Sequence, residues 1–168
     1  MVVDLLVLLL FPAAMAFAAS SDLLTMTISN RVSVALIIGF FVVAPLIGMS
    51  AMEIGMHVAA AAVVLVVAFG MFAAGWIGGG DAKLATATAL WFGFEHLAAY
   101  LLYASLLGGV LTLALLRYRR EPMPSLLMGQ DWAENLHQPD TGVPYGIALA
   151  AAALLLYPQS TFMQALGL

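Results

Sequence analysis

The chain has 168 residues, of which 64% are hydrophobic and 8% charged, with a mean hydropathy of +1.08. A soluble domain carries about 45–50% apolar and about 25% charged residues, so a soluble fold is excluded and a bilayer is the environment that accepts this chain. A net charge of −4 with five basic residues leaves no footprint for nucleic acid, and the absence of cysteine excludes disulfides, thiolate metal sites, iron–sulfur clusters and a cysteine nucleophile.

A membrane helix needs about 20 mostly apolar residues, and spans are predicted near 2–19, 32–48, 57–75, 82–95, 97–116 and 143–158. The first contains a small-residue stretch, Ala18-Ala19-Ser20, but Asp4 stands where a secretory leader carries a basic residue. It therefore reads as a span rather than a cleaved leader. The stretch from Ala82 to Leu116 is too long for one ordinary span and tight for two. Gly93, Glu95 and His96 near its middle predict a short hairpin and a short fourth helix. The connection 117–142, punctuated by Pro122 and Pro124, reads as a polar cytoplasmic surface loop with room for a short helix. The tail from Gln159 to Leu168 reads as short and amphipathic.

Every basic residue, Arg31, Lys83, Arg117, Arg119 and Arg120, falls in an alternate loop of this pattern, while Asp4, Glu53 and Glu95 fall on the other side. Cytoplasmic loops are enriched in Lys and Arg. The expectation is an all-α polytopic membrane protein with six transmembrane helices and both termini on the non-cytoplasmic side. Residues 1–168 read as a single integral-membrane domain.

Two acidic residues stand out by position: Asp22 after the first span and Asp81 opening the fourth, both on the predicted cytoplasmic side. An ionisable residue near a bilayer is costly and marks a functional hypothesis. The run Gly78-Gly79-Gly80 before Asp81 lacks β-carbons and lets a neighbour approach the helix start closely. A helix N-terminus favours an ionised carboxylate, whereas a second carboxyl group beside it opposes double ionisation, so one of a close pair holds a proton. Such a pair activates water for peptide hydrolysis, with one carboxylate as general base and one carboxylic acid polarising the carbonyl. By position alone the residues also admit a plain structural reading, Asp22 as a polar loop residue capping a helix and Asp81 as an N-cap.

Gly78-Gly79-Gly80-Asp81-Ala82-Lys83-Leu84 resembles the GxGD-x-K-L motif of the type IV prepilin peptidases, the GxGD aspartyl peptidases. Asp22 followed by Ile28 and Asn30 resembles the earlier aspartate motif of that family. Pro144-Tyr145-Gly146 before Ile147-Ala148-Leu149-Ala150 resembles its Pro-aromatic-Gly turn into the last helix. The three matches keep the family's order across nearly the whole chain, which is similar to the short form that serves tight-adherence (Flp) pili.

The resemblance implies that Asp22 and Asp81 are catalytic. It implies that Gly78, Gly80, Lys83, Asn30, Pro144, Tyr145 and Gly146 shape the site or bind substrate, with no cofactor and no metal. It implies a location in the bacterial inner membrane. The substrates would be prepilins or pseudopilins, cut after a glycine on the cytoplasmic side of their apolar helix, with the pilus-assembly machinery as a further partner. Longer members add an N-terminal segment with zinc-binding cysteines and an N-methyltransferase activity; without those cysteines the resemblance implies peptidase activity alone. Family members carry basic residues where this chain has Leu23-Leu24-Thr25-Met26-Thr27, and Pro where it has Ser29; both aspartates stay in place.

Lys83 reads either as a residue tuning the carboxyl pair or as a snorkelling anchor, and Asn30 as a cap of the second span. Glu53 and His57 share a helix face. With Glu95 and His96 in a loop on the same side they are metal-ligand types, but the favoured reading is a pair of solvated turns. His137 reads as an exposed loop residue. Trp76 and Trp91 read as aromatic-belt residues, the methionines as packing filler, and the small residues at 73–75, 85, 87 and 89 as close helix contacts. Two other functions compete with hydrolysis: a proton or cation carrier using its aspartates, and a noncatalytic assembly subunit. Carriers place their acids near mid-membrane, whereas both acids here lie at one edge.

Overall fold

The computed structural model describes residues 2–167; Leu168, the last position of the predicted tail, and Met1 lie outside the described residues. The regular elements among the described residues are helices: α1 (Val2–Thr25), α2 (Asn30–Leu46), α3 (Ala51–Ala73), α4 (Gly79–Arg120), α5 (Asp131–His137), α6 (Tyr145–Leu156) and α7 (Thr161–Gln164). Four helical stretches are long and apolar enough to cross a membrane: Val2–Thr25, Ala51–Ala73, Gly79–Arg120 and Tyr145–Gln164. Asn30–Leu46 is a shorter apolar helix. Large apolar side chains cover the outside, with Val66 and Leu113 at 73% and 69% exposure, as a lipid-facing surface requires.

Local chemistry sets the helix ends. Gly48 closes α2 with positive φ, and its amide and that of Met49 donate to the Pro45 and Ala44 carbonyls at 3.1 Å each. Gly75 closes α3 in the same way, with Gly75 donating to Phe72 and Trp76 to Met71, both at 2.9 Å. Both are Schellman ends, in which a left-handed residue lets the chain satisfy the last carbonyls. The small residues Ala73, Ala74 and Gly75 therefore serve this exposed turn rather than a helix contact, whereas Ala85, Ala87 and Ala89 are buried as expected. Ser50 and Glu53 form a reciprocal capping box at the start of α3. The Ser50 amide donates to Glu53 Oε2 at 2.7 Å, and the Glu53 amide to Ser50 Oγ at 3.3 Å.

The long α4 is two arms. A straight helix of this length would run about 63 Å, roughly twice the hydrocarbon thickness of about 30 Å. Gly93 breaks it, with φ 58° and ψ −170°. Leu97, Leu101 and Ala104 from the second arm line the same cavity as Asp81 and Ala85 from the first, so the chain doubles back at Gly93. The hairpin expected around Gly93 is present, and Glu95 and His96 lie in the helical turn that follows it.

His57 secures the reversal. A break in a helix leaves its last carbonyls without partners, and His57 Nδ1 donates to the Leu90 carbonyl at 2.8 Å. At 8% exposure His57 is buried, not part of a solvated turn. Its ring also lies so close to Gly93 that an added β-carbon there would sit 2.8 Å from Nε2. His57 and Glu53 are thus occupied by the fold, and no group of three or more metal-ligating side chains gathers among the described residues.

An aromatic hub holds the helices together. Phe11 from α1 stacks on Tyr157 at 4.5 Å and meets Trp91 at 5.1 Å; Trp91 meets Phe162 at 4.5 Å; Phe40 from α2 meets Phe162 at 5.9 Å. Buried indole and phenol groups need polar partners. Trp91 Nε1 donates to the Leu36 carbonyl at 2.9 Å and the Tyr157 hydroxyl to the Val7 carbonyl at 2.7 Å. Trp91 is fully buried and is no belt residue, whereas Trp76 is 76% exposed. The tail contributes its apolar side to this hub, where Phe162 is fully buried.

We expect Gly93→Ala to lower the thermal midpoint of the detergent-solubilised protein. Positive φ with extended ψ is a glycine conformation that costs an L-residue about 1–3 kcal/mol, and the new methyl group meets the His57 ring. Gly109→Ala, where nothing lies within 4 Å of the new atom, should leave the midpoint unchanged or raised.

Candidate active site

Asp22 stands in the last turn of α1, because the helix continues to Thr25 rather than stopping before it. Met26 ends the helix in a left-handed conformation, φ 53°, with its amide donating to the Asp22 carbonyl at 2.9 Å. Hydroxyl groups then tie the following turn back onto the helix. Ser21 Oγ donates to the Thr27 carbonyl at 2.8 Å, and the Thr25 and Thr27 hydroxyls lie 2.7 Å apart. This turn delivers Ile28 against two other segments. An added β-carbon on Gly80 would sit 3.1 Å from Ile28 Cβ, and one on Gly146 would sit 2.6 Å from Ile28 Cδ1. Glycine at both places is what allows α1, the start of α4 and the start of α6 to meet.

Asp81 lies in the first turn of α4, whose N-cap is Gly78. It is the third residue of the helix and reaches back to the Gly78 backbone amide, half of a capping box whose other half a glycine cannot supply. A side chain on Gly78 would crowd it, with the β-carbon 2.9 Å from Asp81 Oδ2. Asp81 is therefore not the N-cap itself.

Asp22, 5% exposed, accepts a hydrogen bond on Oδ2 from the Gly146 amide at 2.7 Å. An added β-carbon on Gly146 would fall 2.8 Å from that same oxygen. Lys83 Nζ donates to Asn30 Oδ1 at 2.9 Å. Asn30 is the first residue of α2 and does not cap it; that role falls to Ser29, whose hydroxyl accepts from the Arg31 amide at 3.3 Å. Among the described residues no ion pair joins Lys83 to either aspartate. The lysine ties α4 to α2 across the mouth of the site instead.

Asp22 and Asp81 line one cleft of about 310 Å³, together with Asn30, Gly78, Gly80 and Lys83. Of the other sequence-predicted residues, Gly146 touches Asp22. Tyr145 lies against Gly108 and lines a second, apolar cavity of about 270 Å³ that Asp81 also borders. Pro144 lines neither cavity and stands buried at the N-cap of α6. Met26, Thr27, Ile28 and Gly79 complete the first cleft. In sequence Ile28 is only a letter of the aspartate motif, and the glycines at 80 and 146 are the sole trace of its packing. Carboxyl groups that face one cleft are of the kind that exchange protons with water and with a carbonyl oxygen.

Apolar helices that gather two carboxyl groups at one end of the bundle define a membrane-protein class with hydrolytic potential. The model of the type IV leader peptidase family matches residues 9–113, which contain both aspartates and cover more than half of the chain. The chain belongs to that family and is a peptidase. The match stops short of Pro144-Tyr145-Gly146, which only the tertiary structure joins to the rest of the site. No curated protein and no solved structure matches the chain.

If the cleft is the working site, Gly146→Ala should reduce processing of a co-expressed prepilin at least tenfold, because the methyl group displaces either Asp22 or Ile28. Gly55→Ala, in open space on α3, should process normally. The size shift of the prepilin on a gel reads both.

Proposed function

We propose that the protein is an aspartyl endopeptidase of the bacterial inner membrane that removes the leader peptide of type IV, Flp/Tad-type prepilins or pseudopilins at the cytoplasmic membrane edge. The observation that carries the reading is the convergence of Asp22 and Asp81, 59 positions apart in sequence, on one cleft. In this mechanism one carboxylate takes a proton from water while the water oxygen attacks the scissile carbonyl carbon. The partner, protonated, gives its proton to the carbonyl oxygen. Collapse of the tetrahedral diol breaks the C–N bond, the first carboxyl group passes its proton to the leaving amine, and the second recovers one from the diol. The Gly146 amide holds the Asp22 carboxyl in a fixed orientation, and the Lys83–Asn30 bond holds the rim.

The substrate's apolar helix suits the adjoining cavity, where Val63, Val67, Leu97 and Leu101 form the wall and Asp81 is the single acidic side chain. In this reading the two arms of α4 each cross the bilayer. With α1, α2, α3 and the stretch from Tyr145 to Gln164, that makes six crossings with both termini outside the cytoplasm. The common end of α1, α4 and α6 then faces the cytoplasm, where Lys83, Arg31 and the Arg117–Arg120 cluster lie.

Asp22→Asn and Asp81→Asn should each abolish prepilin cleavage while leaving the protein inserted, because an amide neither accepts the water's proton nor shares one. The double variant should be no worse than either single one, since residues that act as a unit are non-additive. Asp131→Asn and Asp140→Asn, in the long connection, should retain most activity. Full processing by either dyad variant at normal expression would overturn the aspartyl-peptidase reading and leave a noncatalytic assembly role. A reporter fused after Leu168 should report the periplasm and one within 125–138 the cytoplasm; agreement between the two would refute six crossings.

A further inference from the structure

In sequence Arg119 is one of three arginines on the predicted cytoplasmic side, with Arg117 and Arg120. The structure separates it from them. Arg117 lies at the surface, 3.3 Å from Glu121, with its side chain 80% exposed, and Arg120 is exposed. Arg119 is partly buried and spends its guanidinium on backbone carbonyls. Nε donates to Leu136 at 2.8 Å, and Nη2 donates to Thr141 at 2.8 Å and Gly142 at 2.9 Å. Leu136 belongs to the last turn of α5, where carbonyls lack helical partners. Tyr118 supports the same segment: its hydroxyl donates to the Ala133 carbonyl at 3.3 Å and its ring meets His137 edge-on at 4.9 Å. His137 is consequently half-buried, not an exposed loop residue.

We propose that Arg119 is a positioning residue for Asp22, acting through the start of α6. Gly142 precedes Gly146 by four residues, a reach of at most about 14 Å of chain, and Pro144 stiffens the step. Fixing Thr141 and Gly142 therefore restricts where the Gly146 amide is presented to Asp22. The second arm of α4 provides both ends of this clamp. Ala104, Gly108 and Arg119 recur at helical spacing on one face. Gly108 receives the Tyr145 ring, the Ala104 carbonyl accepts from the Tyr145 hydroxyl at 3.4 Å, and Arg119 holds the connection just before it. One helix face thus sets the register of α6 against α1. Lysine cannot substitute, because its donors share a single nitrogen and do not span three carbonyls as the guanidinium fork does.

The inference rests on the aspartyl-peptidase reading for its effect on activity, but its geometry is testable without activity. The full chain is labelled with ¹⁵N-glycine in detergent micelles, and the Gly146 amide, donated to a carboxylate, is followed by its proton resonance. Asp22→Asn should move that resonance upfield. Arg119→Gln and Arg119→Lys should move it the same way, and both should lower kcat for prepilin cleavage by about tenfold or more with KM within about twofold, the pattern of a misplaced catalytic group. Arg120→Gln should leave the resonance and kcat unchanged. If Arg119→Gln does not accumulate, Arg119→Lys, which keeps the charge and the stem, carries the test. Wild-type kcat in the Arg119 variant, or lost activity with the Gly146 resonance unmoved, would overturn the clamp. Full cleavage by Asp22→Asn would instead sink the peptidase reading, and the resonance would still decide whether Arg119 sets the Gly146 contact.

Discussion

The Gly146 amide and the Asp22 carboxylate lie 124 positions apart in the chain and 2.7 Å apart in space, and much of the molecule serves that distance. A side chain at Gly146 would fill the gap. A loop after α1 that strayed would withdraw Ile28, which spaces the starts of α4 and α6 from each other. The hydroxyls of Ser21, Thr25 and Thr27 prevent this by folding the turn back on the helix. They do so with short side chains only.

The opposite end of the bundle is rigid for a different reason. A chain that reverses inside an apolar environment must satisfy every backbone group it frees. Gly93 makes the reversal sterically accessible, and His57 supplies the donor that the broken helix lacks. The hub of Phe11, Phe40, Trp91, Tyr157 and Phe162 lies beside it and binds α1, α2, the first arm of α4 and the C-terminal segment into one unit. The carboxyl groups therefore stand on helices that are fixed at their far ends, and the cleft end is closed by hydrogen bonds and by contacts made at glycines rather than by a hub of stacked rings. A site that must admit a peptide is better served by such an end than by the tightly packed one.

Several side chains changed meaning between sequence and structure, and in each case the cause was a partner distant in sequence. His57 stands four residues from Glu53, the spacing of metal ligands, but its ring donates to the Leu90 carbonyl at the end of the first arm of α4. Trp91 has the position of a belt residue but turns inward to the Leu36 carbonyl. Arg119 has the charge of a topology signal but binds three carbonyls.

Composition and hydropathy by themselves determined the helical membrane class. Apolar residues are too many to hide from water, and a backbone in lipid has few options besides the helix. The glycines around Asp81, the Asp22 segment and the Pro-Tyr-Gly turn also pointed to the family, since these are local patterns that need no partner to be read, and the family match covers the first two of them. Hydropathy could not say which face of each helix is buried, because inside and outside are equally oily here: Trp91 and Trp76 look alike in sequence and lie at opposite extremes of exposure. Only the tertiary structure decided that the two aspartates share a cleft, that Gly146 donates to one of them, and that His57 closes the reversal at Gly93. Each of these depends on a contact between distant segments at a glycine, where a side chain is missing, and a missing side chain does not name its neighbour.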